Sequence, residues 1–192
     1  TLAENITLYA KWTKQLPKST LKSLLLARVN PVKASKLRIN WTKVTGADKY
    51  VIYGNKCNTK GHKRRAVKIK TVSASTNTLL LSGLKKHTGY KFKVMAYRDG
   101  KKIATSFYIH NFTTKKHGRC DSIKTIAGVK KTLSLNVGGK YAASARVITY
   151  YGRTPINKYH ARKIRLLTTD PSVAKVKDGK IIGAGAGTYS VY

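Results

Sequence analysis

The stretch LKKHTGYKFKVMA, residues 84–96, decides the fold of this chain. In its second half Phe92, Val94 and Ala96 alternate with Lys91, Lys93 and Met95, the period of two that buries one side of a strand. Leu84, Thr88 and Tyr90 lead into that strand. Upstream, Val67, Ile69 and Thr71 alternate in the same way, and Leu79 to Leu81 is a short apolar run. Leu37, Ile39 and Trp41 alternate with polar neighbours, and Thr45-Gly46-Ala47-Asp48 turns the chain into a strand at Tyr50 to Tyr53. Short alternating strands separated by turns predict an antiparallel β-sandwich.

Downstream, residues 168–192 read TTDPSVAKVKDGKIIGAGAGTYSVY. Asp170-Pro171 opens a turn, Val173 and Val176 flank Ala174 in a short strand, and Asp178-Gly179 makes a tight hairpin turn. Lys180 to Ile182 is the returning strand, and Gly183, Gly185 and Gly187 let the chain cross over before a last strand at Thr188 to Tyr192. Leu133 and Leu135, then Tyr141, Ala143 and Ala145, then Ile164 and Leu166 supply the front strands of this second body. Tyr150 to Arg162, with Gly152 and Pro155, is expected to be a long loop.

A chain of 192 residues, 41% hydrophobic, can bury two cores of ordinary size. Charge is the outlier. Forty Lys and Arg against 6 Asp and Glu give a formal +34, far more than solubility requires, so the chain is expected to meet polyanions. No apolar run is long enough for a membrane-spanning helix, and the basic residues are not gathered on one amphipathic helix. Thr1 is followed by no signal-peptide pattern, so the chain is expected to be a fragment of a longer protein.

Three resemblances organise these segments. The Trp41 strand, the Ala-Asp-x-Tyr-x-Ile-Tyr run at Ala47 to Tyr53 and the Leu-x-x-x-Thr-x-Tyr run at Leu84 to Tyr90 together resemble a fibronectin type III domain. The resemblance implies a tyrosine corner, with the Tyr90 phenol bonding back to the main chain, and so a structural role for Tyr90. Residues 168–192 resemble a bacterial immunoglobulin-like group 2 domain, whose signature is a Ser-Ser/Thr-Asp-x-x-Val-Ala-x-Val run, a turn with Gly, then Ala-Gly-Thr and a final strand. Glu4 to Lys14, ENITLYAKWTK, resembles the last strand of the internalin-type (Listeria–Bacteroides) surface repeat.

The expected architecture is all-β, two tandem antiparallel β-sandwiches, fibronectin type III-like and then immunoglobulin-like. Its parts are a repeat tail at 1–14, a linker at 15–20, the first sandwich at 21–114, a linker at 115–122, and the second sandwich at 123–192, truncated at its C-terminus. The families imply a non-catalytic spacer or adhesion module of an extracellular protein on a Gram-positive-type bacterial surface or wall. Acidic glycans or wall polymers are the expected partners, with a host surface protein also possible and nucleic acid bound only nonspecifically. The alternatives are an accessory module of a larger secreted glycosidase or peptidase, or a module that binds a host immunoglobulin.

Catalysis has little to work with. The acids Glu4, Asp48, Asp99, Asp121, Asp170 and Asp178 are isolated and mostly stand at turns, so no paired carboxylates are expected, nor a calcium loop, nor any cofactor. Cys57 and Cys120 are candidates for a disulfide. With His62 and His117 they would also make a four-ligand zinc set, although the spacing matches no standard finger, and two thiols are the plain alternative. Three basic clusters are candidate anion sites: Lys60, Lys63, Arg64 and Arg65; Lys115, Lys116 and Arg119; Lys158, Arg162, Lys163 and Arg165. Tyr150, Tyr151 and Tyr159 near the third cluster could stack on bases or sugar faces.

Overall fold

The computed structural model of the chain describes residues 24–57, 64–114, 120–127, 130, 132–143, 146–151, 166, 168, 170–188 and 191. Among them every regular element is a β-strand and all pairings are antiparallel. The repeat tail at 1–14 and the linker at 15–20 lie outside the described residues. The described residues divide into two compact units, the larger within 24–127 and 146–151, the smaller within 130–143 and 166–191.

In the larger unit, β1 (Ala27–Lys33), β2 (Lys36–Trp41) and β5 (Thr78–Leu81) form one sheet in the order β1-β2-β5. The opposing sheet contains β3 (Lys49–Lys56), β4 (Val67–Ser73), β6 (Gly89–Arg98), β7 (Lys101–Thr105), β8 (Ile109–Phe112), β9 (Asp121–Ala127) and β11 (Arg146–Thr149). Its order is β11-β9-β8-β6-β3-β4, with β7 also pairing β6. Alternation made these strands: Leu37, Ile39 and Trp41 of β2 turn inward to meet Tyr50 and Ile52 of β3 and Phe92, Val94 and Ala96 of β6 in one buried cluster. Fully burying each such side chain is worth about 1.5–3 kcal/mol, so this cluster carries the sandwich.

Polar closures seal its ends. The Tyr90 hydroxyl accepts the Lys85 N–H at 2.9 Å, the back-bond that the tyrosine corner implied. The Tyr50 hydroxyl accepts the Val44 N–H at 2.7 Å, tying the turn before β3 to the core. At Gly54 a Cβ would meet the Phe92 ring and stand 2.9 Å from the Lys91 carbonyl oxygen, so the close approach of β3 to β6 requires glycine.

The sheet continues past the point where a linker was expected. Of residues 115–122, 115–119 lie outside the described residues, but Cys120, Asp121 and Ser122 are fully buried in the larger unit. Ser122 Oγ donates to the Val29 carbonyl at 2.8 Å, the Cys120 N–H donates to the Lys33 carbonyl at 2.9 Å, and Asn111 and Phe112 of β8 pair with Ser122 and Asp121. The segment reads as a joint in sequence because it is polar; in the fold these polar groups find partners instead of solvent. The strand that follows, β9, falls mostly within the span assigned from sequence to the second sandwich, yet it extends the larger unit's sheet.

The smaller unit has a three-stranded sheet in the order β10-β13-β12, from β10 (Lys140–Ala142), β12 (Ala174–Lys177) and β13 (Lys180–Gly183). Lys177 pairs with Lys180 across Asp178 and Gly179, whose φ values of 49° and 70° are those of a two-residue hairpin turn. The Asp170 carboxylate accepts the Ser172 N–H, and the Asp170 carbonyl accepts from Val173 and Ala174, closing the turn that Asp170-Pro171 opens. Leu133 and Leu135 lie outside the strands, and Ala145 and Ile164 lie outside the described residues.

Candidate anion-binding face

The residues singled out from sequence are only partly placed. Lys60, Lys63, Lys115, Lys116, Arg119, Lys158, Arg162, Lys163 and Arg165 lie outside the described residues, as do His62, His117 and Tyr159. Arg64 and Arg65 are exposed, just ahead of β4, and the Arg65 carbonyl accepts the Asn55 side-chain amide at 2.8 Å. Tyr150 and Tyr151 are exposed with ring centroids 6.4 Å apart.

Cys57 and Cys120 are thiols that the fold keeps apart. The Cys57 N–H donates to the Gly89 carbonyl, Gly89 pairs with Phe112, and Phe112 pairs with Asp121. That path crosses three strand spacings, about 14 Å, roughly twice the Cα separation a disulfide can bridge. Cys120 points into the core, its thiol donating to the Lys36 carbonyl. Among the described residues no three His, Cys, Asp or Glu side chains converge on a metal position, and His62 and His117 lie outside the described residues. Burial pushes the Cys57 thiol from 9.0 up to about 12, against the opposing pull of the Lys91 ammonium, and burial also pushes Cys120 up.

A basic and aromatic surface lies elsewhere, on the outer face of the larger sheet. Strand pairing sets Lys68 of β4 opposite Tyr53 of β3 and Tyr53 opposite Lys93 of β6. Tyr108, just before β8, completes the row, because Phe92 pairs with Ile109. Lys93 Nζ lies 5.9 Å from the Tyr53 ring centroid and 5.2 Å from that of Tyr108, and Lys91 Nζ lies 5.2 Å from Tyr108. The next row sets Asn55 opposite Lys91 and Lys91 opposite His110. A hydrogen bond donated to Tyr53 pushes the Tyr97 phenol upward.

Three of the described acids hold turns and loop main chain. Asp48 Oδ2 accepts the Asp99 N–H, Asp121 Oδ1 accepts the Tyr151 N–H, and Asp170 Oδ1 accepts from Ser172. Asp99 and Asp178 occupy left-handed turn positions at φ 48° and 49°. Sequence reasoning sought anion sites in runs of basic letters. Its only signal for the sheet face was the spacing of Lys91 and Lys93 opposite Phe92 and Val94; the cross-strand register that brings them to Tyr53 and Tyr108 is not written locally.

Residues 26–111 match the fibronectin type III domain family. No curated protein matches the chain. Similar solved structures include the FN5 domain of Drosophila Lar, 20% identical, covering 46% of this chain and 91% of that one with a TM-score of 0.38. The fn3 domain of human contactin 1 is 22% identical, covering 47% of this chain and 76% of that one, with a TM-score of 0.38. Pectate lyase Pel3 from Pectobacterium carotovorum is 14% identical, covering 45% of this chain and 26% of that one, with a TM-score of 0.38.

Proposed function

With residues 26–111 forming a fibronectin type III domain, a common non-catalytic module of surface and adhesion proteins, we propose that this chain is a cationic spacer and adhesion module that binds polyanions outside the cell. The observation that carries the reading is the net charge: forty Lys and Arg against 6 Asp and Glu, a formal +34. A field of that sign raises the local concentration of acidic wall polymers or acidic glycans and drives binding by counterion release. The reading extends to a bacterial surface or wall setting. The DPSVAKV run and the hairpin of β12 and β13 support an immunoglobulin-like group 2 character for the smaller unit.

The test is retention of the purified chain on acidic glycans, wall polymers, DNA and neutral glycans at physiological salt, beside charge-matched polyanions. Selective retention on one acidic glycan or wall polymer supports adhesion. Retention that follows charge density alone reduces the chain to a cationic spacer, and no retention at all sinks the polyanion reading. Replacing Lys63, Arg64 and Arg65 with Ala asks whether the first basic cluster contributes more than three scattered lysines do.

A further inference from the structure

The outer face of the β4-β3-β6-β8 sheet alternates cation and aromatic along one row, Lys68, Tyr53, Lys93, Tyr108, with Lys91 alongside. Two features make it more than scattered charge. Lys91 and Lys93 each stand 5.2 Å from the centroid of the same Tyr108 ring, so two like charges are held on one aromatic platform, where an anion between them would relieve their repulsion. Tyr108 is 38% exposed, so this platform is open to solvent. The sheet also fixes the spacing: Lys91 and Lys93 are two residues apart on one strand, about 7 Å, and Lys93 lies between Tyr53 of β3 and Tyr108, which leads into β8.

We infer that this sheet face, rather than a basic loop, is a docking site for an acidic polysaccharide. Lys91, Lys93 and Lys68 meet its carboxylate or sulfate groups, and the Tyr53 and Tyr108 hydroxyls meet its ring hydroxyls. The inference rests on the polyanion-binding reading above and adds a location and a ligand class. Charge complementarity selects an anion. The cation geometry selects against single-stranded nucleic acid: base stacking needs bare aromatic faces, and here ammonium groups stand over the Tyr53 and Tyr108 rings. Lysine supplies compact, rotatable point charges suited to anionic groups presented at varied angles along a sugar chain.

The experiment uses the whole chain and five probes: polygalacturonate, dextran sulfate, neutral dextran, polyphosphate and single-stranded DNA, at physiological salt. The variants are Lys91→Gln/Lys93→Gln and, as a control of equal charge, Lys101→Gln/Lys102→Gln on the exposed β6–β7 hairpin. The expected result is a weakening of about three- to tenfold for the two acidic polysaccharides with the first pair, and less than about twofold with the control. Where the first pair also disturbs folding, chemical-shift changes on wild-type protein titrated with polygalacturonate give the same answer, and they should centre on Lys91, Lys93, Tyr53 and Tyr108. Equal losses from both pairs, or shifts spread over the whole surface, overturn the site and leave the polyanion reading standing. Tighter binding of DNA or polyphosphate through the same lysines overturns the ligand class. No retention of any polyanion by the wild-type chain takes down the polyanion reading and this inference with it.

Discussion

At the scale of single residues, the Tyr90 hydroxyl accepts the Lys85 N–H. Tyr90→Phe keeps the ring stacked beside Phe92, with centroids 6.0 Å apart, but strands that half-buried donor. The expected cost is about 1–2 kcal/mol, read as a lower denaturant midpoint at unchanged slope, whereas Tyr108→Phe on the open face should leave stability within about 0.5 kcal/mol. The cysteines give a pH test. Burial raises both thiols, so the folded state holds their protons where the unfolded chain releases them. Their stabilising contribution is complete below the unfolded value, 9.0, and for Cys57 is lost as pH rises toward about 12. Folded protein at pH 8 should therefore resist alkylation at Cys57 and Cys120, and denaturant should release two reactive thiols; rapid modification of the native protein would contradict this. These residues also show how far the sequence is legible. Tyr90 could be assigned a structural role because Leu84, Thr88 and Tyr90 are local in the chain, whereas a link between Cys57 and Cys120 depends on how many strands the fold inserts between them.

At the scale of elements, β9 changes where the first domain ends. The family match stops at residue 111, yet the main chain at Cys120 and the side chain of Ser122 bond to β1 from within the buried part of the unit. Ser122→Ala leaves the Val29 carbonyl without this donor and should cost about 1 kcal/mol, a fall of roughly 4–8 °C in melting temperature for a domain of this size. A chain ending at residue 114 should melt lower than one ending at residue 127, and equal melting temperatures would show β9 to be a passive extension. In the smaller unit, Gly179 has φ 70° and a Cβ there meets nothing within 4 Å, so Gly179→Ala tests backbone conformation alone. The expected loss is about 1 kcal/mol. That hairpin was legible because turn chemistry and strand alternation are both local. The placement of β9 was not, since the polar letters of a linker and of a buried, hydrogen-bonded strand end are the same.

At the scale of the whole molecule, charge dominates. Any polyanion affinity should fall steeply between about 50 mM and 200 mM salt, because each neutralised lysine or arginine releases a counterion. A flat salt profile by titration calorimetry would mean that contacts other than charge hold the ligand. Composition alone determined the sign and size of this field, local alternation with turn residues determined that the regular elements would be β-strands, since side-chain period and turn preference are properties of neighbours, and the runs at Ala47–Tyr53 and Leu84–Tyr90 carried the resemblance to a fibronectin type III sandwich. Which cations share a face, which cysteines lie apart and which strand closes the first sheet were decided only by the tertiary structure. Each depends on cross-strand register between residues dozens of positions apart, and register is set by how two sheets fill one core.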